Sequence, residues 1–203
     1  MKVLLASSNE GKIERFKKLL KEVDSNIELF CPAELGVEDI DVEENASTLA
    51  GNAELKVRAY EGKVDIPVLA NDTGFWVEGM GLVETPKRTA LAGAEEKDLT
   101  KEEVAEKVLS FWKGVAEKNG GEIDAAWTEA FAVLYPDGNL VTADSKREIV
   151  LTDKEFGTPH IQMPVRALYY SKTTNKPSIQ HTEDEELLEL RPVLNALKSV
   201  LEV

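Results

Sequence analysis

Three short segments hold residue types suited to a phosphorylated ligand. The first, Ser7-Ser8-Asn9-Glu10-Gly11-Lys12, follows an apolar run, Val3 to Ala6, and precedes apolar residues at helical spacing, Ile13, Phe16, Leu19, Leu20 and Val23. A loop that leaves a buried strand and opens a helix presents free backbone N–H groups at the positive end of the helix dipole, which suits a phosphate. Ser7 and Asn9 add side-chain donors, Gly11 allows close approach of the backbone, and Lys12 supplies a point charge. The same residue types also make an ordinary helix cap followed by a solvated lysine, so the pattern alone leaves two readings open.

The second segment places Glu43 and Glu44 ahead of a helix over roughly Thr48 to Tyr60, on which Asn52 and Lys56 share one face a turn apart. Carboxylates are hard oxygen ligands suited to Mg2+; an acidic pair before a helix also simply complements its dipole. In the third, Asn71-Asp72-Thr73-Gly74 reads as a break between the apolar run Pro67 to Ala70 and Phe75-Trp76-Val77. That puts the Asp72 carboxylate just beyond the carboxyl end of a buried strand, where open α/β sheets carry catalytic groups. A turn aspartate bonding its own backbone has the same signature.

The elements that must position these groups alternate early. Strand, helix and a second strand at Ile27 to Phe30 come first. Thr100 with Glu103 then caps a helix carrying Val104, Val108, Phe111, Trp112 and Val115, and an extended hairpin turns at Pro136-Asp137-Gly138-Asn139. A short acidic helix, Thr182 to about Leu190, precedes a last helix opened by Pro192, with Arg191 at the joint. This predicts an α/β fold: a mixed, twisted central sheet with flanking helices, in two lobes with a cleft between them. Residues 1–203 form one domain, since no repeat or linker divides them. With 38 acidic against 24 basic residues the formal charge is −14, which repels nucleic acid. The lone Cys31 allows no internal disulfide, the opening apolar run is too short for a signal peptide or membrane span, and a cytoplasmic location is expected.

The order of the three segments resembles the inosine triphosphate pyrophosphatase family, which acts on non-standard purine nucleoside triphosphates. That family opens with a strand and a Thr or Ser, Asn and Gly-Lys loop, matched here by Ser7 to Lys12. An acidic pair and Glu-Asn-Ala with a Lys four residues after the Asn follow, matched by Glu43-Glu44, Gly51-Asn52-Ala53 and Lys56. Ala-Asp-Asp-Ser-Gly comes next, matched by Ala70-Asn71-Asp72-Thr73-Gly74. The resemblance implies a hydrolase that cuts a nucleoside triphosphate to its monophosphate and pyrophosphate with Mg2+. It implies that Ser7, Asn9, Lys12, Asn52 and Thr73 bind substrate, that Glu44 and Asp72 work at the metal and the attacking water, and that Lys56 neutralises phosphate charge. Lys87-Arg88, ahead of Ala92-Gly93, resembles a basic stretch of the family. A homodimer is implied too, with Phe75, Trp76 or Met80 as interface candidates beside their more ordinary role in a core.

The second half departs from the pattern. The family's Phe-Gly-Tyr-Asp-Pro loop is replaced over Gly157 to Tyr169, with Arg166 in place of the Asp, and its Ser-His-Arg becomes Glu189-Leu190-Arg191. Asn71 stands for the first Asp of the pair and Gly51 for the Glu before Asn52. Arg166 and Arg191 are thus the expected base-side contacts, with His160 and Tyr169 nearby in sequence, and a relaxed or altered base choice is expected. The alternative is a nucleotide-binding protein of the same fold that has lost turnover. Asp72 together with Glu44 argues against it, because a pure binder has little need of both.

Overall fold

The structure, a computed structural model, describes residues 1–83, 85–91 and 98–203. Its eight-stranded mixed sheet runs β2-β1-β3-β5-β6-β7-β8, with β4 paired to β3. The strands are β1 (Lys2–Leu5), β2 (Glu28–Phe30), β3 (Val68–Val77), β4 (Gly81–Val83), β5 (Glu122–Leu134), β6 (Leu140–Thr152), β7 (Tyr169–Ser171) and β8 (Lys176–Pro177). Flanking helices are α1 (Glu10–Val23), α2 (Leu49–Arg58), α3 (Pro86–Ala90), α4 (Lys101–Lys118) and α5 (Glu183–Leu201). The α/β class with a mixed sheet and flanking helices is as the sequence predicts. Residues group into two compact units, one of Met1–Asp72, Glu129–Ser145 and Pro192–Val203, the other of Thr73–Thr128 and Lys146–Arg191. Among the described residues, no helix is long and apolar enough to cross a membrane.

In the first unit, β1 lies parallel to β2 (Leu4 opposite Phe30) and to β3 (Leu5 opposite Leu69), with Val3, Leu4 and Leu5 buried. The β1–α1–β2 crossover supplies the helix that parallel pairing requires. α1 buries Phe16, Leu19 and Leu20, one stripe at three-and-four spacing, and Phe16 meets Phe131 of β5 edge-on with ring centroids 6.3 Å apart. α2 turns Ala53 and Val57 into a core with Leu4, Val68, Ala70 and Ala132. The β5–β6 turn takes Gly138 at φ 86°, a conformation that glycine adopts without strain, while Asp137 accepts from the Asn139 N–H.

Two sequence expectations are corrected here. Residues 71–74 are no break: β3 is one continuous ten-residue strand, and Asp72 lies within it. Residue types that favour turns were the basis of that expectation, but Asn71 and Asp72 find partners in the surrounding structure, so the chain stays extended. The tail is one helix, with Pro192 inside it. A proline there removes the bond to the Leu188 carbonyl. Burial of Val193, Leu197, Val200 and Leu201 offsets the loss.

The second unit packs around Phe75, whose ring meets Trp112 at 5.3 Å and Trp127 at 4.9 Å. α4 begins in the expected capping box, with Thr100 accepting from the Glu103 N–H and the Glu103 carboxylate accepting from the Thr100 N–H. It buries Val104, Val108, Trp112 and Ala116, each four residues from the last, and the Trp112 indole donates to the Pro86 carbonyl at 3.0 Å. Phe75 is fully buried and so belongs to this core, Trp76 is half-buried with Lys146 over its ring, and Met80 is exposed. Lys87 and Arg88 sit in α3, whereas Ala92 and Gly93 lie outside the described residues.

Candidate functional site

All but three of the expected site residues belong to the first unit, and the chain builds their site from three elements. The loop after β1 ends in a helix cap: the Asn9 Oδ1 accepts from the Lys12 N–H at 3.0 Å, and the Asn9 N–H donates to the Ser7 hydroxyl at 3.3 Å. The Asn9 oxygen is therefore a cap, as one of the two readings has it. A Cβ at Gly11 would meet that oxygen at 3.3 Å, so the glycine makes room for the cap. Lys12, half-buried, titrates below the ordinary lysine range. Burial is the main cause and the charges of Lys56 and Arg15 add to it, against the pull of Asp72 and Glu44.

The second element is α2, capped by Thr48, which presents Asn52 and Lys56 on one face as expected. Asn52 works in two directions: its Oδ1 accepts from the Ala46 N–H at 2.9 Å, and its Nδ2 donates to the Asp72 Oδ2 at 3.0 Å. It thereby ties the loop that carries Glu44 to β3. Gly51, one residue before, has no room for a side chain, since a Cβ there would stand 2.8 Å from the Ala46 Cβ and 3.1 Å from the Thr48 hydroxyl.

β3 supplies Asp72, and the groups converge on the Lys56 ammonium. Lys56, 9% exposed, lies 3.1 Å from the Glu44 Oε1 and 3.2 Å from the Asp72 Oδ1, and donates to the Asn71 carbonyl at 3.3 Å. Three acceptors match the three donors of an ammonium. Burial alone would raise the Asp72 carboxyl, but the Asn52 hydrogen bond and the Lys56 charge outweigh it and hold it below the ordinary aspartate range. Glu44 itself is half-exposed, with its side chain 48% accessible.

Two carboxylates of hard oxygen character, one buried and one at the surface, fit a magnesium ion. Such an ion commonly takes one or two protein carboxylates and completes its shell with phosphate oxygens and water. Among the described residues, no group of three or more His, Cys, Asp or Glu side chains is placed to hold a metal ion.

Sequence reasoning missed one pair. Glu129, 1% exposed in β5, receives a two-pronged contact from Arg15 of α1, with both N–O distances 2.7 Å. The signal was present: a glutamate within a strand run, Ala125 to Leu134, that is otherwise apolar except for Thr128 requires a partner.

Thr73, Arg166 and Arg191 belong to the second unit. Thr73 is half-buried within β3. Arg166 directs Nε and Nη2 to the Ser178 carbonyl, at 3.2 and 3.0 Å, and Nη1 to the Glu186 carboxylate at 3.2 Å, so much of its fork holds neighbouring chain. Arg191 is exposed on α5, with no helix break beside it. Tyr169 is buried in the aromatic core, where burial pushes its hydroxyl up, and His160 is exposed in a loop. Glu189, where the resemblance places a serine, is buried and accepts from the Ser178 hydroxyl at 2.9 Å and from Arg147 at 3.2 Å.

Comparison with known proteins bears on family and fold. Residues 3–158 match the model of the Ham1 family. The dITP/XTP pyrophosphatase of Nautilia profundicola is 31% identical over 210 residues, covering 98% of this chain and 99% of that protein. That of Aquifex aeolicus is 42% identical over 80 residues, 39% of this chain and 37% of that one. For a Thermoanaerobacter pseudethanolicus relative of the same name the figures are 33% over 115 residues, 57% and 55%. In these last two the matched stretch spans about half of the relative's length or less. Among solved structures, the Staphylococcus aureus Ham1 protein superposes with a TM-score of 0.71 at 23% identity, covering all of this chain and 98% of that one. A Coxiella burnetii HAM1 protein gives 0.71 at 21% with the same coverage. These two likenesses bear on the fold, whereas the family-model match and the full-length Nautilia relative bear on descent: the chain belongs to the Ham1 family.

Proposed function

We propose that the protein is a nucleoside triphosphate pyrophosphohydrolase acting on non-standard purine nucleoside triphosphates, the class named in its dITP/XTP pyrophosphatase relatives. The observation that carries the reading is the convergence of Glu44 and Asp72 on the buried Lys56, in the unit that also contains Ser7 to Lys12, whose strand β1 pairs with β3. In the reaction, water attacks the α-phosphorus, the bond from that phosphorus to the oxygen bridging to the β-phosphate breaks, and pyrophosphate leaves with the bridging oxygen. The products are a monophosphate, pyrophosphate and one proton released to solvent.

Ser7, Asn9 and Lys12 bind the triphosphate in this reading. The Asn9 Oδ1 caps α1, which leaves its amide Nδ2 as the group suited to a phosphate oxygen. Asp72, kept ionised, accepts a hydrogen bond from the attacking water and orients it. A carboxylate held below its usual range is a weak base, so its contribution is orientation and charge more than full proton abstraction. Lys56 keeps Asp72 and Glu44 close together in one site despite their like charge. Magnesium, when bound at Glu44 and Asp72, supplies charge neutralisation on the phosphate oxygens.

Thr73, Arg166 and Arg191 are substrate-binding residues in the same proposal, supported by the resemblance. The rewritten segment around Arg166 and Leu190 favours a relaxed or altered base choice. A cytoplasmic homodimer completes the reading. The test is a panel of standard and modified nucleoside triphosphates assayed for pyrophosphate with and without magnesium, beside light scattering for mass. Magnesium-dependent pyrophosphate release supports the proposal. Nucleotide binding without release from any member of the panel would replace it with the binding-protein alternative.

A further inference from the structure

Glu129 is a carboxylate in a strand whose next five residues, Ala130 to Leu134, are all buried apolar side chains. Burying such a charge is strongly unfavourable unless it is paired with good geometry. Its partner is Arg15, 114 residues earlier in the chain: Nη1 donates to Oε2 and Nη2 to Oε1, each at 2.7 Å. The same Oε2 lies 3.4 Å from the Asn71 Nδ2. Replacing a buried ion pair by apolar residues of similar volume is often neutral or stabilising, so stability alone gives little reason for this one. A fork-to-fork contact, by contrast, admits essentially one relative geometry.

Both ends of the pair lead to the candidate site. Arg15 follows Lys12 by three residues on α1, about one turn along the same face. On the other side, Asn71 precedes Asp72, and its carbonyl accepts from Lys56. We propose that Arg15, clamped by Glu129, is a positioning residue that fixes the opening turns of α1, and with them Lys12, relative to the Lys56–Asp72 pair. This inference rests on the triphosphate reading above. The guanidinium need touch no substrate atom. It acts by holding a helix whose displacement of about 1 Å is enough to cost catalysis on the order of a hundredfold.

Two variants test it. Arg15→Met/Glu129→Leu removes both charges at similar volume, and Arg15→Lys keeps the charge but loses the fork. Each is expected to melt within about 5 °C of the parent. In each, kcat for the best triphosphate falls about tenfold or more while KM stays within about threefold, because Ser7, Asn9 and Lys12 are all present. Amide exchange at Lys12 and Ile13 in the double variant quickens about tenfold, while that at Leu19 and Leu20 holds. A merely structural pair would change neither the kcat-to-KM split nor exchange confined to the opening of α1. Parental kcat in either well-folded variant, or unchanged exchange at Lys12 and Ile13, overturns the proposal. If the double variant does not fold, Arg15→Lys decides by the same two measurements. If the parent itself releases no pyrophosphate, the triphosphate reading fails separately, and the exchange pattern alone decides whether the clamp fixes α1.

Discussion

The Asn52 amide donates to the Asp72 carboxylate at 3.0 Å while its own oxygen holds the Ala46 N–H, so one side chain spans from the Glu44 loop to the central strand. Asn52→Ala removes both contacts. Turnover is expected to fall at least tenfold, since the loop and the carboxylate both lose a constraint. Stability should drop by about 1–2 kcal/mol for the lost hydrogen bonds. Pyrophosphate release measured beside a melting curve checks both numbers; a folded variant with parental turnover would show that this bridge has no part in the reaction.

Asp72→Asn keeps the shape and discards the charge. The expected outcome is a loss of turnover of about a hundredfold or more in saturating magnesium, with the fold and much of the nucleotide affinity retained. Lys56 then keeps Glu44 as its one carboxylate partner among those described above. Near-normal turnover by a well-folded variant would defeat the proposed site.

Lys12→Ala should raise KM for the triphosphate by about tenfold or more, with little change in melting temperature, because a half-buried lysine in the first turn of α1 carries little core packing. The cap itself survives this change, since Asn9 accepts from the backbone N–H of residue 12. Unchanged affinity would reduce the loop to an ordinary helix start.

The α4 capping box gives a prediction with a pH sign. The Thr100 backbone N–H and hydroxyl hold the Glu103 carboxyl below the usual glutamate range. A depressed carboxyl contributes stability that is present above its unfolded value, about 4.3, and lost as pH falls through the folded value. Glu103→Ala should therefore lower the melting temperature at pH 7 by more than it does near pH 3. Thr100→Ala, which removes the cap on the other side, is expected to cost about 1 kcal/mol. Melting curves of the two variants at both pH values measure this; an equal deficit for Glu103→Ala at the two would remove its ionisation from the account.

Much of the first unit was legible because local signals and tertiary structure agree there. The α1 stripe of Phe16, Leu19 and Leu20, the Asn9 cap, and the shared face of Asn52 and Lys56 are all short-range patterns. Asp72 was singled out by type and order but misplaced, because Asn-Asp-Thr-Gly has turn chemistry, whereas sheet pairing and partners distant in sequence, Asn52 and Lys56 at its carboxylate and Glu129 at Asn71, hold the strand through it. Pro192 misled for a similar reason, since the penalty for a proline is local and the burial that offsets it is not. The Arg15–Glu129 pair escaped notice altogether: nothing near Arg15 in sequence indicates which carboxylate it meets.

Gly51 bears on how this chain could change. A substitution to the glutamate that the family resemblance places there would bring a Cβ to within 2.8 Å of the Ala46 Cβ, in a loop held by Asn52. The Ala46 segment must shift to admit it, and the same loop carries Glu44. A laboratory attempt to place an acid at position 51 should therefore begin by redesigning residues 45–48 and not with the substitution itself.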